Sequence, residues 1–175
     1  MASTVAVLGA TGSVGTQALD ALKKSGYRVD YIAAGSDFMS AERYARELSV
    51  RYVAMANEAA AEELRVRLAD TDITVLSGTE GVLEGIRLSG ADAFVNAITG
   101  MAGLMPTIEI IKKGKRLCLA NKESLVIAGN IVTAMAKEYG VEILPVDSEH
   151  SAIFQSLKCG KPRDRRRARR VFSAV

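Results

Sequence analysis

The 175 residues suffice for one domain with a sizeable core, and 49% hydrophobic with 25% charged residues is the balance of a globular chain. No apolar run nears the roughly 18 residues of a membrane span, and two cysteines, Cys118 and Cys159, give no disulfide framework, so a reducing, cytoplasmic setting is expected. The net charge of +3 hides a division: residues 158–170 hold eight of the 23 basic residues and one of the 20 acidic ones, leaving a mildly acidic remainder with no nucleic-acid footprint outside that segment.

Strand and helix patterns alternate along the chain. Met1–Thr4 lead directly into the β-rich run Thr4–Leu8, so no leader segment is expected. Gly9 ends that run, and Ser13–Ser25 carries apolar residues at helical spacing (Val14, Ala18, Leu19, Leu22) before Gly26 closes it. Tyr27–Ala34 reads as a second strand. Ser40 is a candidate N-cap for a helix reaching about Leu48. Tyr52–Ala56 is a third strand and Glu58–Leu68 a helix. Ile73–Leu76, Ala93–Asn96, Leu117–Leu119 and Val141–Leu144 are further strands, with helices at Glu80–Leu88, Pro106–Lys113 and Ser124–Tyr139. Repeated βα units with short connections predict an α/β fold: a Rossmann-like, doubly wound, mainly parallel sheet with right-handed crossovers. After Gln155 the pattern stops. The basic stretch from about residue 158 reads as a solvated, disordered tail.

Ligands of such sheets bind beyond the carboxyl ends of the strands, and the polar residues there are the candidates. Gly9-Ala10-Thr11-Gly12-Ser13-Val14-Gly15 follows a strand and opens a helix, the context of a dinucleotide fingerprint, although its spacing is G-x-x-G-x-x-G. Gly9 would allow the tight turn, Gly12 the approach of a pyrophosphate, and Gly15 close packing of helix on sheet. The alternative is a tight turn without a ligand. Asp37, just past the second strand, would favour NAD if it faces the adenosine ribose; if it caps a turn, that inference fails. Asn121-Lys122-Glu123 follows another strand. Lys122 could hold a substrate oxygen or phosphate and Glu123 could order it or bind cofactor; equally, the trio is a helix start with Glu123 complementing the macrodipole. Asp147-Ser148-Glu149 sets two carboxylates one residue apart, on one face of an extended chain, with oxygen donors suited to Mg²⁺ or Mn²⁺. The plainer reading is a capped helix start. His150, the single histidine, is read as structural.

Taken together, these stretches resemble 1-deoxy-D-xylulose 5-phosphate reductoisomerases. The resemblance rests on Leu8–Gly15, Ala97–Leu104, Leu119–Val126 and Pro145–Gln155, and runs from about Val5 to Leu157. It implies an NADPH- and divalent-metal-dependent oxidoreductase that rearranges and reduces a sugar phosphate to 2-C-methyl-D-erythritol 4-phosphate, an isoprenoid precursor. By motif it implies cofactor contacts at Thr11, Gly12, Ser13, Val14, Gly35, Asn121 and Glu123. Substrate contacts would fall at Lys122, Ser148 and Glu149, metal ligation at Asp147 and Glu149, and catalytic roles at Lys122 and Glu149. The family implies a homodimer.

Two features depart from the family. Ser36 and Asp37 follow Gly35 where members often carry a basic residue, which weakens the expected grip on a 2′-phosphate. The family also continues past this chain with a Ser-Gly-Gly-Pro-Phe segment, another metal carboxylate, a lid and a helical domain. A truncated copy with little activity of its own is therefore expected. Residues 1–140 would be the NADP(H)-binding domain, and 141–175 the start of the metal- and substrate-binding domain. Two other readings remain open at this point: another Rossmann-fold reductase, such as a semialdehyde dehydrogenase, and a non-catalytic nucleotide- or nucleic-acid-binding protein using the basic tail.

Overall fold

The computed structural model describes residues 4–146. Asp147, Ser148, Glu149, His150 and the basic stretch lie outside them. Strands β1 (Thr4–Leu8), β2 (Arg28–Ala34), β3 (Tyr52–Met55), β4 (Thr74–Ser77), β5 (Ala93–Asn96), β6 (Arg116–Leu119) and β7 (Ile143–Pro145) form one sheet. Every pairing is parallel, and the order is β4-β3-β2-β1-β5-β6-β7. Helices α1 (Ser13–Lys24), α2 (Phe38–Leu48), α3 (Glu58–Arg67), α4 (Gly78–Leu88), α5 (Leu104–Lys112) and α6 (Lys122–Glu138) connect them, with a 3-10 turn at Gly100–Gly103 before α5. The expected sheet is therefore present, and it is parallel throughout. It reaches Pro145, past the residue 140 at which the sequence suggested a new unit.

Period-two alternation explains the two-layer core. In β1, Val5 and Val7 pack with Leu19, Ala41, Ala45 and Leu64 of α1, α2 and α3. Ala6 and Leu8 face the other way, with Ile86, Ile110, Ile111 and Val132 of α4, α5 and α6. Both faces are covered, so β1 reads as an unbroken apolar run. In β2 the alternation slips. The β1–β2 register jumps between Val5 and Ala6, pairing Val29 and Tyr31 across the step and leaving Asp30 as the extra residue. Asp30 is buried, and its Oδ2 accepts from Ser89 Oγ (3.0 Å) and the Gly90 N–H (2.9 Å). A bulge thus houses a carboxylate inside an apolar strand and pins the α4–β5 connection.

Two helix starts differ from expectation for the same reason. The N-cap of α2 is Asp37, whose Oδ1 accepts the Ser40 N–H at 3.1 Å; Ser40 lies inside the first turn. The N-cap of α6 is Asn121, which starts that helix at Lys122, two residues before the predicted Ser124. In each, a side-chain oxygen satisfies the N–H three residues on, and the residues between are drawn into the helix. Helix α6 also kinks at Ala128 (φ −131°, ψ 25°), which separates its first turns from the rest.

Candidate functional site

The strand order reverses direction between β1 and β5, and such a switch point opens a crevice beyond the carboxyl ends of the strands. A cleft of about 240 Å³ lies there. Gly9, Thr11 and Gly12 from the β1–α1 turn line one side, and Ala97, Ile98 and Thr99 from the β5 exit line the other. Ala33, Ala34, Gly35, Ala56 and Val82 complete it with small and apolar surface, suited to a flat heterocycle.

The β1–α1 turn is built by close approaches. Gly9 has φ +77°, and a Cβ there would stand 2.5 Å from the Ala97 carbonyl oxygen. The Gly9 and Ala10 N–H groups both donate to the Ala33 carbonyl at 2.8 Å, which ties the turn to β2. A Cβ on Gly15 would lie 2.0 Å from the Gly9 oxygen, so α1 sits against the turn itself. Gly12 is different. It is exposed, has ordinary extended φ and ψ (−80°, 168°), and an added Cβ would meet only the Gly9 oxygen at 3.3 Å. Gly12 is the N-cap of α1 and offers no side chain, and the first turn contains no acidic residue. The Ser13, Val14 and Gly15 N–H groups are thus left without an intrahelical partner and without a competing anion. That is a seat for a phosphate.

The cofactor candidates divide in this geometry. Thr11, Gly12 and Gly35 line the cleft, while Ser13 and Val14 lie exposed on the adjoining first turn of α1. Asn121 is 1% exposed, and its carboxamide is engaged within the protein: Nδ2 donates to the Ile98 oxygen (2.7 Å) and the Gly100 oxygen (2.8 Å), and Oδ1 accepts the Ser124 N–H (2.9 Å). Glu123 is half-buried with Oε2 3.3 Å from Asn121 Nδ2. Lys122 is the first residue of α6. The metal and substrate candidates Asp147, Ser148 and Glu149 follow Val146, whose N–H donates to the Leu119 oxygen at 3.1 Å, and they lie outside the described residues. Among the described residues, no cluster of three histidine, cysteine or acidic side chains could hold a metal ion.

Asp37 is spent as a cap. The Ser40 hydrogen bond holds its carboxyl below the ordinary value, and the NAD inference loses the free, ribose-facing carboxylate it required. Cys118 is half-buried, and burial pushes its thiol up, which fits an unreactive core residue. Sequence reasoning passed over Ala56, Val82 and Thr99 as cleft lining, and Asn96. The signal available for Thr99 and Ala56 was position, each lying just past a strand end.

The model of the 1-deoxy-D-xylulose 5-phosphate reductoisomerase family matches residues 5–129. The chain belongs to this family. A reductoisomerase from Agathobacter rectalis is 48% identical over 155 residues, covering 88% of this chain and 41% of that protein. Another from Acetivibrio thermocellus is 45% identical over 164 residues, covering 94% and 43%. Among solved structures, the reductoisomerase of Zymomonas mobilis in complex with NADPH superposes with a TM-score of 0.86 at 36% identity, covering 94% of this chain and 43% of that one. A reductoisomerase complex with NADPH, fosmidomycin and magnesium gives 0.83 at 38% identity, covering 87% and 38%. This chain therefore spans about two-fifths of the length of the reductoisomerases it matches. A homoserine dehydrogenase from Thiobacillus denitrificans, at 23% identity and a TM-score of 0.52, shares the fold alone. No helix among the described residues is long and apolar enough to cross a membrane.

Proposed function

We propose that this chain is the nucleotide-binding part of a cytoplasmic 1-deoxy-D-xylulose 5-phosphate reductoisomerase and binds NADPH in the cleft at the β1–β5 switch point. One observation carries the reading: at the α1 terminus beside the cleft, three helix N–H groups have no partner among the described residues, the N-cap Gly12 that lines the cleft brings no side chain, and the first turn brings no acid. In this reading Thr11, Gly12, Ser13 and Val14 hold the cofactor phosphates. Gly35 passes beneath the adenosine, and Asn121 and Glu123 border the nicotinamide end. Lys122 and Ser148 bind the sugar phosphate. Asp147 and Glu149 supply hard oxygen donors for a divalent cation, with Glu149 also beside the substrate. These last residues begin the catalytic part of the enzyme, and the whole enzyme is a homodimer.

When bound, NADPH supplies hydride and the cation supplies Lewis acidity at the substrate's carbonyl and hydroxyl oxygens. The chain's own contribution is to seat and orient. The α1 terminus fixes the pyrophosphate, the small residues at the ends of β2 and β3 (Ala33, Ala34 and Ala56) admit the base, and the β5 exit walls the cleft against water.

Titration of the 175-residue chain with NADPH, followed by nicotinamide fluorescence, tests the reading. Saturable binding that a Gly12 substitution weakens is expected. A chain that gives no saturable signal with NADPH or NADH would overturn it.

A further inference from the structure

Ile98 lies in the loop that leaves β5 and walls the cleft, and both polar atoms of its backbone are held by asparagines. Its N–H donates to Asn96 Oδ1 at 3.2 Å, and its carbonyl accepts from Asn121 Nδ2 at 2.7 Å. Asn121 Nδ2 also donates to the Gly100 oxygen, while Asn96 Nδ2 donates to the Gly103 oxygen and Thr107 Oγ1, both at 2.9 Å. Both side chains are buried. On its other side Asn121 takes the N–H and the hydroxyl of Ser124 and reaches Glu123 Oε2. A Cβ on Gly103 would lie 2.8 Å from Asn121 Cγ and Nδ2, so that glycine is the seat of the amide. Only a primary amide can cap a helix with its oxygen and donate twice with its nitrogen.

We propose that Asn96 and Asn121 are positioning residues, a two-asparagine clamp that fixes the 97–103 loop as a wall of the nucleotide cleft and couples it to the start of α6 at Glu123. This rests on the NADPH reading above. Asn121 then serves cofactor binding through the shape of the cleft, with its side chain turned to the protein.

Two variants separate the parts of the amide. Asn121→Asp keeps an acceptor for the Ser124 N–H, but when ionised it has nothing to donate to Ile98 and Gly100. Burial and the Glu123 carboxylate beside it raise its pKa, so acid restores a hydroxyl that can donate to one carbonyl. Asn121→Ser retains a cap and does not titrate.

NADP⁺ affinity is measured by calorimetry on the 175-residue chain between about pH 5.5 and about pH 8, a range that a raised carboxyl pKa reaches. Amide exchange of residues 97–103 is followed in parallel. At the alkaline end both variants are expected to bind about tenfold more weakly than wild type, the cost of lost buried donors. The ratio to wild type narrows in acid for Asn121→Asp and stays flat for Asn121→Ser. Exchange in 97–103 accelerates while that of β2 and β3 does not change.

Wild-type affinity in both variants at the alkaline end, or an Asn121→Asp ratio indifferent to pH, would overturn the clamp. If Asn121→Asp does not fold, wild-type affinity in Asn121→Ser alone overturns it. A wild-type chain without NADP⁺ affinity overturns the nucleotide reading instead; exchange in 97–103 that the variants leave unchanged then overturns the clamp as well.

Discussion

Gly12→Asp should separate stability from ligand binding, because the two depend on that position in opposite ways. The backbone at Gly12 is one any residue adopts, and the added Cβ meets only the Gly9 oxygen at 3.3 Å. Aspartate is a better N-cap than glycine by a few tenths of a kcal/mol, and a carboxylate at a helix N-terminus adds about 0.3–1 kcal/mol. Folding stability should therefore hold or rise. Binding should suffer twice over. The new carboxylate would accept the very N–H groups that otherwise face a phosphate, and it would lie close to the pyrophosphate charge. Two unit charges about 4 Å apart repel by about 1 kcal/mol in bulk water and about 4 kcal/mol at an effective dielectric of about 20. Gly12 is exposed, which favours the lower half of that range. A rise in NADPH Kd of about 10- to 100-fold is expected. The assay is fluorescence titration beside a thermal melt of the same samples. Equal Kd in wild type and variant, with Tm held or raised, would show that no phosphate occupies the α1 terminus.

Gly15→Ala should act on stability, since its Cβ meets the Gly9 oxygen at 2.0 Å and α1 must move; a loss of about 1–3 kcal/mol, read as a Tm lower by roughly 3–10 °C, is expected, and an unchanged melt would contradict the close packing. Asp37→Asn keeps the α2 cap and removes a charge that the cap already engages, so the ratio of NADPH to NADH affinity should not move; NADPH affinity that improves more than NADH affinity would put Asp37 back beside the ribose. The same carboxyl has its folded pKa held below the ordinary 3.8, so its contribution to stability is present above that value and lost as pH falls through the lower one. The acid limb of an unfolding-versus-pH curve should accordingly be shallower in Asp37→Asn, and an identical limb would count against the cap. Assayed with 1-deoxy-D-xylulose 5-phosphate and Mn²⁺, the 175 residues alone should oxidise NADPH slowly or not at all, because they match only two-fifths of the length of their relatives. Robust turnover abolished by Glu149→Gln would refute that expectation while supporting the role of Glu149.

Much of the sheet was legible because nearly every strand is a short apolar run and nearly every helix has its own stripe. β1 and β5 fall on the predicted residues, since Ser3 and Gly9 bracket the first, while Asp92 precedes the second and the polar Asn96 is its last residue. The misses lie where one side chain overrode the pattern. Ser40 was as good a cap by type as Asp37; only the backbone leaving Gly35 brings the Asp37 oxygen onto the Ser40 N–H. Asp30 sits within a run whose other residues are mostly apolar, and its bulge cannot be read from period alone, because its partners Ser89 and Gly90 are about 60 residues away. Asn96 was hidden for another reason, since its partners Ile98, Gly103 and Thr107 are near in sequence. By residue type it is an ordinary polar end to a strand. Its role needs the loop it grips and the second asparagine beyond β6.

The glycine motif shows why a fingerprint read as one unit conceals three physical requirements. Gly9 answers to the sheet: its left-handed backbone and its contact with Ala97 couple the end of β1 to the end of β5, the two strands on either side of the switch point. Gly15 answers to helix packing. Gly12 alone answers to whatever occupies the cleft, since nothing within the protein requires it. A turn serving only the fold would keep the first and third requirements and tolerate any good N-cap at the second. In this chain the N-cap position lacks a side chain, and the helix behind it lacks an acid in its first turn. Either feature alone is unremarkable. Together they leave the strongest anion seat of the described α1 terminus open, beside small residues that admit a base, and that conjunction is what a dinucleotide needs.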